Sequence, residues 1–192
     1  MIRWNREQID DAIRGRSWAV RLPLLIYFAW VFRNHLNNPF YTSLVGGLNL
    51  GIHELGHFLW APLGEQWSFL GGSLTQCLAP LVAGVLFYRQ KDFFAIAIAC
   101  CWLATNLFNV ATYAADALTQ QLSLVSPVGG DPIHDWGYLL TRWQKLSKAQ
   151  EIGAAIRNAA VLAMLVGLGA GGWLLWRMRQ LSAPTAEAAQ QA

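Results

Sequence analysis

The chain has 192 residues, of which 55% are hydrophobic and 13% charged, with a formal net charge of +3. Soluble domains carry about 25% charged residues, so this composition indicates a protein that is solvated largely by lipid. The basic residues lie near the chain ends and in loops, without a basic face interleaved with aromatic residues, which argues against a nucleic-acid partner. Cys77, Cys100 and Cys101 lie in apolar segments without a CxxC pair, so we expect neither disulfide bonds nor a thiolate metal site.

Residues 1–17 are predicted to form an amphipathic helix at a membrane surface. Its apolar side chains fall on one side: Ile2, Trp4, Ile9 and Ile13. The arginines on the other side favour the cytoplasmic face. No apolar stretch is followed by a small-residue cleavage site, so we expect no removed signal peptide. These features predict an integral, multi-pass protein of a bacterial-type cytoplasmic membrane, with its amino terminus in the cytoplasm.

Residues 18–177 are predicted to form one all-α membrane domain, a polytopic helical bundle with about five spans. The apolar runs that predict these spans are 18–36, 41–60, 70–88, 93–117 and 152–176. The first run contains Arg21 and Pro23, and it crosses only if Arg21 reaches the interface. Five crossings from a cytoplasmic amino terminus would leave Arg177 and Arg179 outside, so charge leaves the span count and the side of the carboxyl terminus open.

A polar loop, residues 118–132, separates the fourth run from a second predicted interfacial helix. Asp131 followed by Pro132 is typical of an N-cap and a first helical turn. The apolar side chains after it form one stripe: Ile133, Trp136, Leu139, Leu140, Trp143 and Leu146. Residues 178–192 are small and polar and are predicted to be a disordered tail.

The second apolar run contains HELGH, which matches the pattern HExxH at residues 53–57. Positions i and i+4 lie on one face of a helix, so His53 and His57 can bind one zinc ion while Glu54 reaches water beside it. Zinc with one further protein ligand keeps an open position for water, whose pKa falls toward about 7, and Glu54 is then the general base. A carboxylate at the centre of a span costs about 3 kcal/mol, which disfavours an accidental HExxH here.

A third zinc ligand is expected among the few other acids and histidines of the membrane domain. Asp135 lies on a helix that restarts after the loop and can be positioned freely, so we prefer it. Asp116 and His134 are the alternatives. Asn106 and Asn109 share one face of the fourth span at the expected depth of the two histidines, which makes them better candidates for contacting substrate or an oxyanion. Imidazole and carboxylate ligands favour zinc over the hard cations.

These motifs resemble those of the site-2 protease class of intramembrane zinc metalloproteases. In that class HExxH is followed, two spans later, by an asparagine-containing segment that breaks and restarts at an aspartate. HELGH matches in full, NLFNVATY stands where the asparagine segment belongs, and DWGYLL stands where the aspartate begins its helix, within about residues 45–145. The resemblance implies hydrolysis of a transmembrane protein substrate within the bilayer, with Glu54 moving the proton and an asparagine holding substrate or oxyanion. The domain could act alone or with an accessory membrane partner.

A non-catalytic zinc-binding membrane protein, such as a transporter or a scaffold, is the alternative function. In such a protein the histidines would bind zinc without catalysis. A transporter is expected to show polar residues on several spans or paired internal repeats, and the sequence contains no convincing repeat.

Overall fold

The computed structural model describes residues 6–124 and 133–182, which form helices and connecting segments without a β-strand. The α-helices of these residues are α1 Arg6–Ile13, α2 Trp18–Asn37, α3 Gly46–Trp60, α4 Glu65–Arg89, α5 Phe93–Asp116, α6 Asp135–Arg142 and α7 Ala149–Ser182. Single 3₁₀ turns precede α4 and α7, at Ala61–Leu63 and Leu146–Lys148. The predicted all-α architecture is confirmed for this part of the chain.

Among the described residues, three helical segments are long and apolar enough to cross a membrane: α4, α5 and Leu146–Ser182, which contains α7. This finding fits an integral membrane protein. The helix with the HELGH motif is shorter than the predicted span, because α3 has 15 residues and begins only at Gly46. Its length is about 22 Å, whereas the hydrocarbon core of a bilayer is about 30 Å thick.

Small side chains on α5 allow α7 to pack closely against it. The small buried residues of α5 include Ala97, Cys101, Ala104, Ala111 and Ala114. A Cβ atom added to Gly167 of α7 would lie 2.6 Å from the Cys101 sulfur, and one added to Gly153 would lie 2.6 Å from the Ala115 Cβ. Close approach of this kind gives membrane helices the van der Waals contact that holds them together.

The first helix and the end of the last helix lie at the same end of the bundle, which we call the terminus-side end. Asp10 of α1 forms an ion pair with Arg177 of α7, and Arg16 is 2.6 Å from Asp92 at the turn before α5. Ile13 is buried in the core there, so α1 packs on the protein itself. The opposite end, where α3 and α5 end, is the site-side end.

The helix after the loop is shorter and more buried than the predicted interfacial helix. α6 has 8 residues, and its N-cap is His134, whose Nδ1 accepts a hydrogen bond from the Gly137 N–H. The predicted N-cap, Asp131, lies outside the described residues. Leu139 and Leu140 are buried against the bundle, so α6 is part of its core.

The last helix extends into the predicted tail. α7 continues to Ser182, beyond the predicted boundary at residue 178, because Met178 is buried and Leu181 packs against the same cluster. Residues 1–5, with Ile2 and Trp4 of the predicted amphipathic helix, lie outside the described residues, as do residues 183–192 of the tail.

We expect Gly167→Ala to destabilise the bundle by about 1 to 3 kcal/mol, because the added methyl group would overpack the contact with α5. Thermal unfolding in detergent, followed by circular dichroism, measures the effect. Gly169→Ala on the same helix is the control, since a Cβ there has no atom within 4 Å. Equal unfolding temperatures for the two variants would contradict the observed packing.

Candidate metal centre

A close antiparallel pairing of α3 and α4 positions the two histidines of HELGH. A Cβ on Gly56 would clash with the carbonyl group of Gly71, so the two backbones meet at these glycines. The next residue, Gly72, makes room for the His53 imidazole, because a Cβ there would lie 2.5 Å from Nε2 of that ring. The glycines therefore bring the HELGH face of α3 directly onto α4.

Three donor atoms converge beside this contact. Asp135 Oδ2 is 2.9 Å from His53 Nε2 and 3.4 Å from His57 Nε2. One ligand atom of each residue lies within 4.8 Å of the others, so the group could hold a metal ion. Ligands about 2 Å from a tetrahedral zinc ion are roughly 3.3 Å apart, which is close to these separations. Imidazole and carboxylate donors are compatible with zinc.

The other ring nitrogen of each histidine is held by a protein acceptor. His53 Nδ1 lies 2.6 Å from the Gln76 side-chain oxygen, and His57 Nδ1 lies 2.8 Å from the Ser68 carbonyl oxygen. Both oxygens require the proton on Nδ1, which directs the Nε2 lone pair of each neutral ring toward Asp135. A lone pair and a carboxylate at this distance repel unless a cation lies between them. A metal ion or an additional proton meets that requirement, so the residues fit a metal site.

Asp135 is the first residue of α6, and it is held from two sides. Its N–H donates a hydrogen bond of 3.0 Å to the hydroxyl of Tyr113 on α5. The next side chain, Trp136, donates from Nε1 to Ser73 Oγ on α4, also at 3.0 Å. Both neighbouring helices thus fix the start of α6, and its first carboxylate faces the histidines.

The environment of Asp135 favours its charged form. Burial raises the pKa of the Asp135 carboxyl, but hydrogen bonds and charge interactions with His53 and His57, when these rings carry a positive charge, outweigh burial and hold that pKa below its usual range. A positive charge beside the carboxylate, whether on the imidazoles or on a metal ion, therefore favours its ionised form, which is the form expected of a zinc ligand.

The two alternative ligands lie near the centre but outside the three-residue group. Asp116 Oδ2 is 3.4 Å from His134 Nε2, and the Asp116 carboxylate also accepts hydrogen bonds from the N–H groups of Gln121 and Leu122. Of the candidate third ligands, Asp135 is the one that the structure brings to both histidines.

A cavity of about 610 Å³ opens beside the donor atoms. Glu54 is half-buried and lines this cavity together with the three candidate ligands. Asn109 also lies in its wall. Asn106 is not among the lining residues, because its side chain is buried and its Nδ2 donates to the Trp102 carbonyl oxygen. The Asn109 side chain can therefore reach a substrate in the cavity, as its predicted role requires, whereas the buried Asn106 side chain cannot.

The centre lies nearer the site-side end than the sequence predicted. The His53 ring is 6.0 Å from the Tyr113 ring, one turn beyond the level of Asn109 on α5. The predicted depth assumed a span beginning near Tyr41, whereas α3 begins at Gly46. The shift changes the neighbours of the histidines from the asparagines to Tyr113.

The two contacts that orient the rings differ in how far the sequence indicates them. Gln76 is a polar residue in an apolar span, which is a usable signal, because such residues in membranes are usually paired. The Ser68 contact is made by its backbone carbonyl, so the type of residue at this position gives no indication of it.

Comparisons of the chain with protein-family models, with curated proteins and with solved structures give no match. The likeness to site-2 proteases stays a prediction from the sequence.

Replacing Gly72 with alanine should weaken metal binding, because the new Cβ would displace the His53 ring. We expect zinc affinity to fall about 10- to 100-fold, as when a group that orients a ligand is lost. Competition with a chromophoric chelator on purified protein measures this affinity. Gly84→Ala on the same helix is the control, with its nearest atom at 3.8 Å. Unchanged zinc affinity in Gly72→Ala would refute the role given to this glycine.

Proposed function

We propose that the protein is an intramembrane zinc metalloprotease of the site-2 type, which hydrolyses peptide bonds of membrane protein substrates. The convergence of His53, His57 and Asp135 on one point carries the proposal, because Glu54 lines the same cavity. Two imidazoles, one carboxylate and a separate glutamate are the groups that a zinc hydrolase needs.

His53, His57 and Asp135 would hold the zinc ion. When bound there, zinc would lower the pKa of a coordinated water toward about 7 and polarise the carbonyl group of the substrate. The protein contributes the orientation of the ligands, since Gln76 and Ser68 fix both imidazole rings.

Glu54 is the proposed general base. It follows His53 directly on α3 and lines the cavity, so its carboxylate can accept a proton from the attacking water. The same group can then deliver that proton to the leaving amine, which needs it to depart. Asn109, in the opposite wall, is the proposed contact for the substrate backbone or the developing oxyanion.

Apolar surfaces around the cavity favour a membrane protein as substrate. The cavity wall includes Leu50, Phe58, Phe69 and Val110. On the outside of α3, Leu48, Leu55 and Leu59 are exposed, so lipid or an apolar segment covers this helix. An apolar peptide therefore meets compatible surfaces before it reaches the polar centre.

Glu54→Gln is expected to keep zinc and to lower cleavage about 10²- to 10⁴-fold, because the amide cannot accept the proton. His57→Ala is expected to lose both zinc and cleavage. Metal analysis of purified protein and cleavage of a fluorescent transmembrane substrate measure the two properties. Glu151→Gln, at an exposed position on α7, is the control and should match wild type.

The outcomes separate the protease from a non-catalytic zinc protein. Zinc in wild type without cleavage, or cleavage that Glu54→Gln leaves unchanged, would favour the non-catalytic alternative. Stoichiometric analysis that finds no metal in unstripped wild-type protein would refute the zinc site itself.

For the membrane arrangement we propose that α2 crosses with α4, α5 and α7, and that α3 enters only part of the way. Four crossings agree with the pairing of α1 and α7 at one end. The basic residues at the terminus-side end outnumber those of the α6–α7 connection, which favours a cytoplasmic location for both termini. The basic residues at that end are Arg6, Arg14, Arg16, Arg89, Lys91, Arg177 and Arg179, against Arg142, Lys145 and Lys148.

A membrane-impermeant maleimide is expected to label Gln144→Cys in intact cells and to leave Gln90→Cys unlabelled. Both positions are exposed, one between α6 and α7 and one at the terminus-side turn after α4. Wild type controls for reaction of the native cysteines, which lie in α4 and α5. The reverse labelling pattern would invert the proposed orientation, and labelling of both would contradict the four crossings.

A further inference from the structure

The carboxylate of Asp116 organises the chain where it leaves α5. Asp116 Oδ1 accepts hydrogen bonds from Thr119 Oγ1 at 2.7 Å and from the Gln121 N–H at 2.9 Å. Its Oδ2 accepts one from the Leu122 N–H at 3.0 Å. The turn after α5 is therefore wrapped around one buried carboxylate.

The same carboxylate faces the residue through which the chain enters α6. His134 Nδ1 accepts the Gly137 N–H at 3.0 Å, so a neutral His134 ring carries its proton on Nε2. That Nε2 is buried and has no hydrogen-bond partner among the described residues, and Asp116 Oδ2 lies 3.4 Å from it. This separation is long for a hydrogen bond, so the contact is mainly electrostatic. It orients the ring that caps α6.

A second side chain of α5, that of Tyr113, also attaches the start of α6 to α5. Tyr113 lies one turn before Asp116, and its hydroxyl accepts the Asp135 N–H at 3.0 Å. Its ring centre is 4.4 Å from that of His134. α5 thus holds the ring of one residue and the backbone of the next, while the Asp135 side chain faces the HELGH histidines.

We propose that Asp116 is a positioning residue of the metal centre, which through His134 sets the orientation of Asp135 toward His53 and His57. The proposal rests on the zinc site of the proposed function. Two ligands are fixed on one helix, but the third follows a long loop, and ligand positions must be held within a few tenths of an ångström. A buried anion that joins both ends of this loop supplies the missing constraint.

Asp116→Asn and His134→Asn test the link, singly and together. Asp116→Asn keeps one acceptor oxygen, but the amide can place an N–H₂ group opposite the His134 Nε2–H. His134→Asn keeps an N-cap acceptor for the Gly137 N–H, but its shorter side chain ends farther from Asp116. Asp92→Asn is the control, because it makes the same change in a carboxylate at the opposite end of α5, away from α6.

Zinc affinity by chelator competition and the visible absorption of the Co(II)-substituted protein are the two readouts. We expect each single asparagine variant to lower affinity about 10- to 100-fold and to change the Co(II) spectrum, which reports ligand geometry. The double variant should bind zinc no more weakly than the weaker single variant, because both changes break one link. Asp92→Asn should match wild type in both readouts.

Three results would overturn the positioning role. Wild-type affinity and spectrum in both single variants would show that the link does not reach the metal. Additive losses that parallel lower thermal stability of the metal-free protein would show a general structural role. Loss of zinc in Asp116→Asn, with zinc retained in Asp135→Asn, would make Asp116 the ligand. If wild type binds zinc but cleaves no substrate, the protease proposal alone fails, since both readouts here measure metal binding.

Discussion

The lone pair of a buried imidazole, directed at a buried carboxylate, is the constraint on which the centre depends. His53 and Asp135 are 6% and 5% exposed. The Gln76 oxygen beside Nδ1 of His53 requires the ring proton on that nitrogen, which leaves the Nε2 lone pair directed at Asp135. Burial without compensation costs several kcal/mol for a charged group, so a cation at this point offsets a large penalty. The contacts that hold Gln76, Ser68 and α6 in place therefore all affect the same interaction, which is that of the imidazole lone pairs and the Asp135 carboxylate with a cation between them.

The need to hold the imidazole rings in this orientation also accounts for Gly56 within HELGH. The two variable positions of HELGH face different surroundings: Leu55 is 52% exposed, whereas Gly56 is buried against the α4 backbone. Only a residue without a side chain lets α3 approach closely enough for Ser68 and Gln76 to reach the rings. The glycines of α4 complete this contact, so the placement of the two histidines and the helix crossing are specified by one short stretch on each helix.

The sequence predicted the parts of the molecule that are encoded locally. Long apolar runs predicted α4, α5 and α7, the i, i+4 spacing predicted the paired histidines, and the position after a loop favoured Asp135. The sequence did not predict features that depend on contacts between distant segments. The ion pair between Asp10 and Arg177 places the end of α7 beside α1, at the terminus-side end of the bundle. The helix α6 is buried because it packs on α4 and α5. Asn106 and Asn109 looked equivalent, but a separation of three residues turns them by about 60° on a helix, and only Asn109 reaches the cavity.

The short length of α3 leaves room for a cavity inside the helical bundle. α3 begins at the middle of α5, where Asn49 accepts a hydrogen bond from Trp102 Nε1 at 2.8 Å, and it ends where Trp60 stacks on Trp67 at the start of α4. It packs on α4, and the cavity lies between it and α5. A helix that begins within the bilayer leaves backbone N–H groups that hydrocarbon cannot satisfy, so irregular backbone is tolerated there only where protein or water meets it. Polar side chains such as Ser68, Gln76 and Asn109 make the cavity able to hold water. The short helix thus leaves a cavity with polar side chains at the level where the histidines and Asp135 converge.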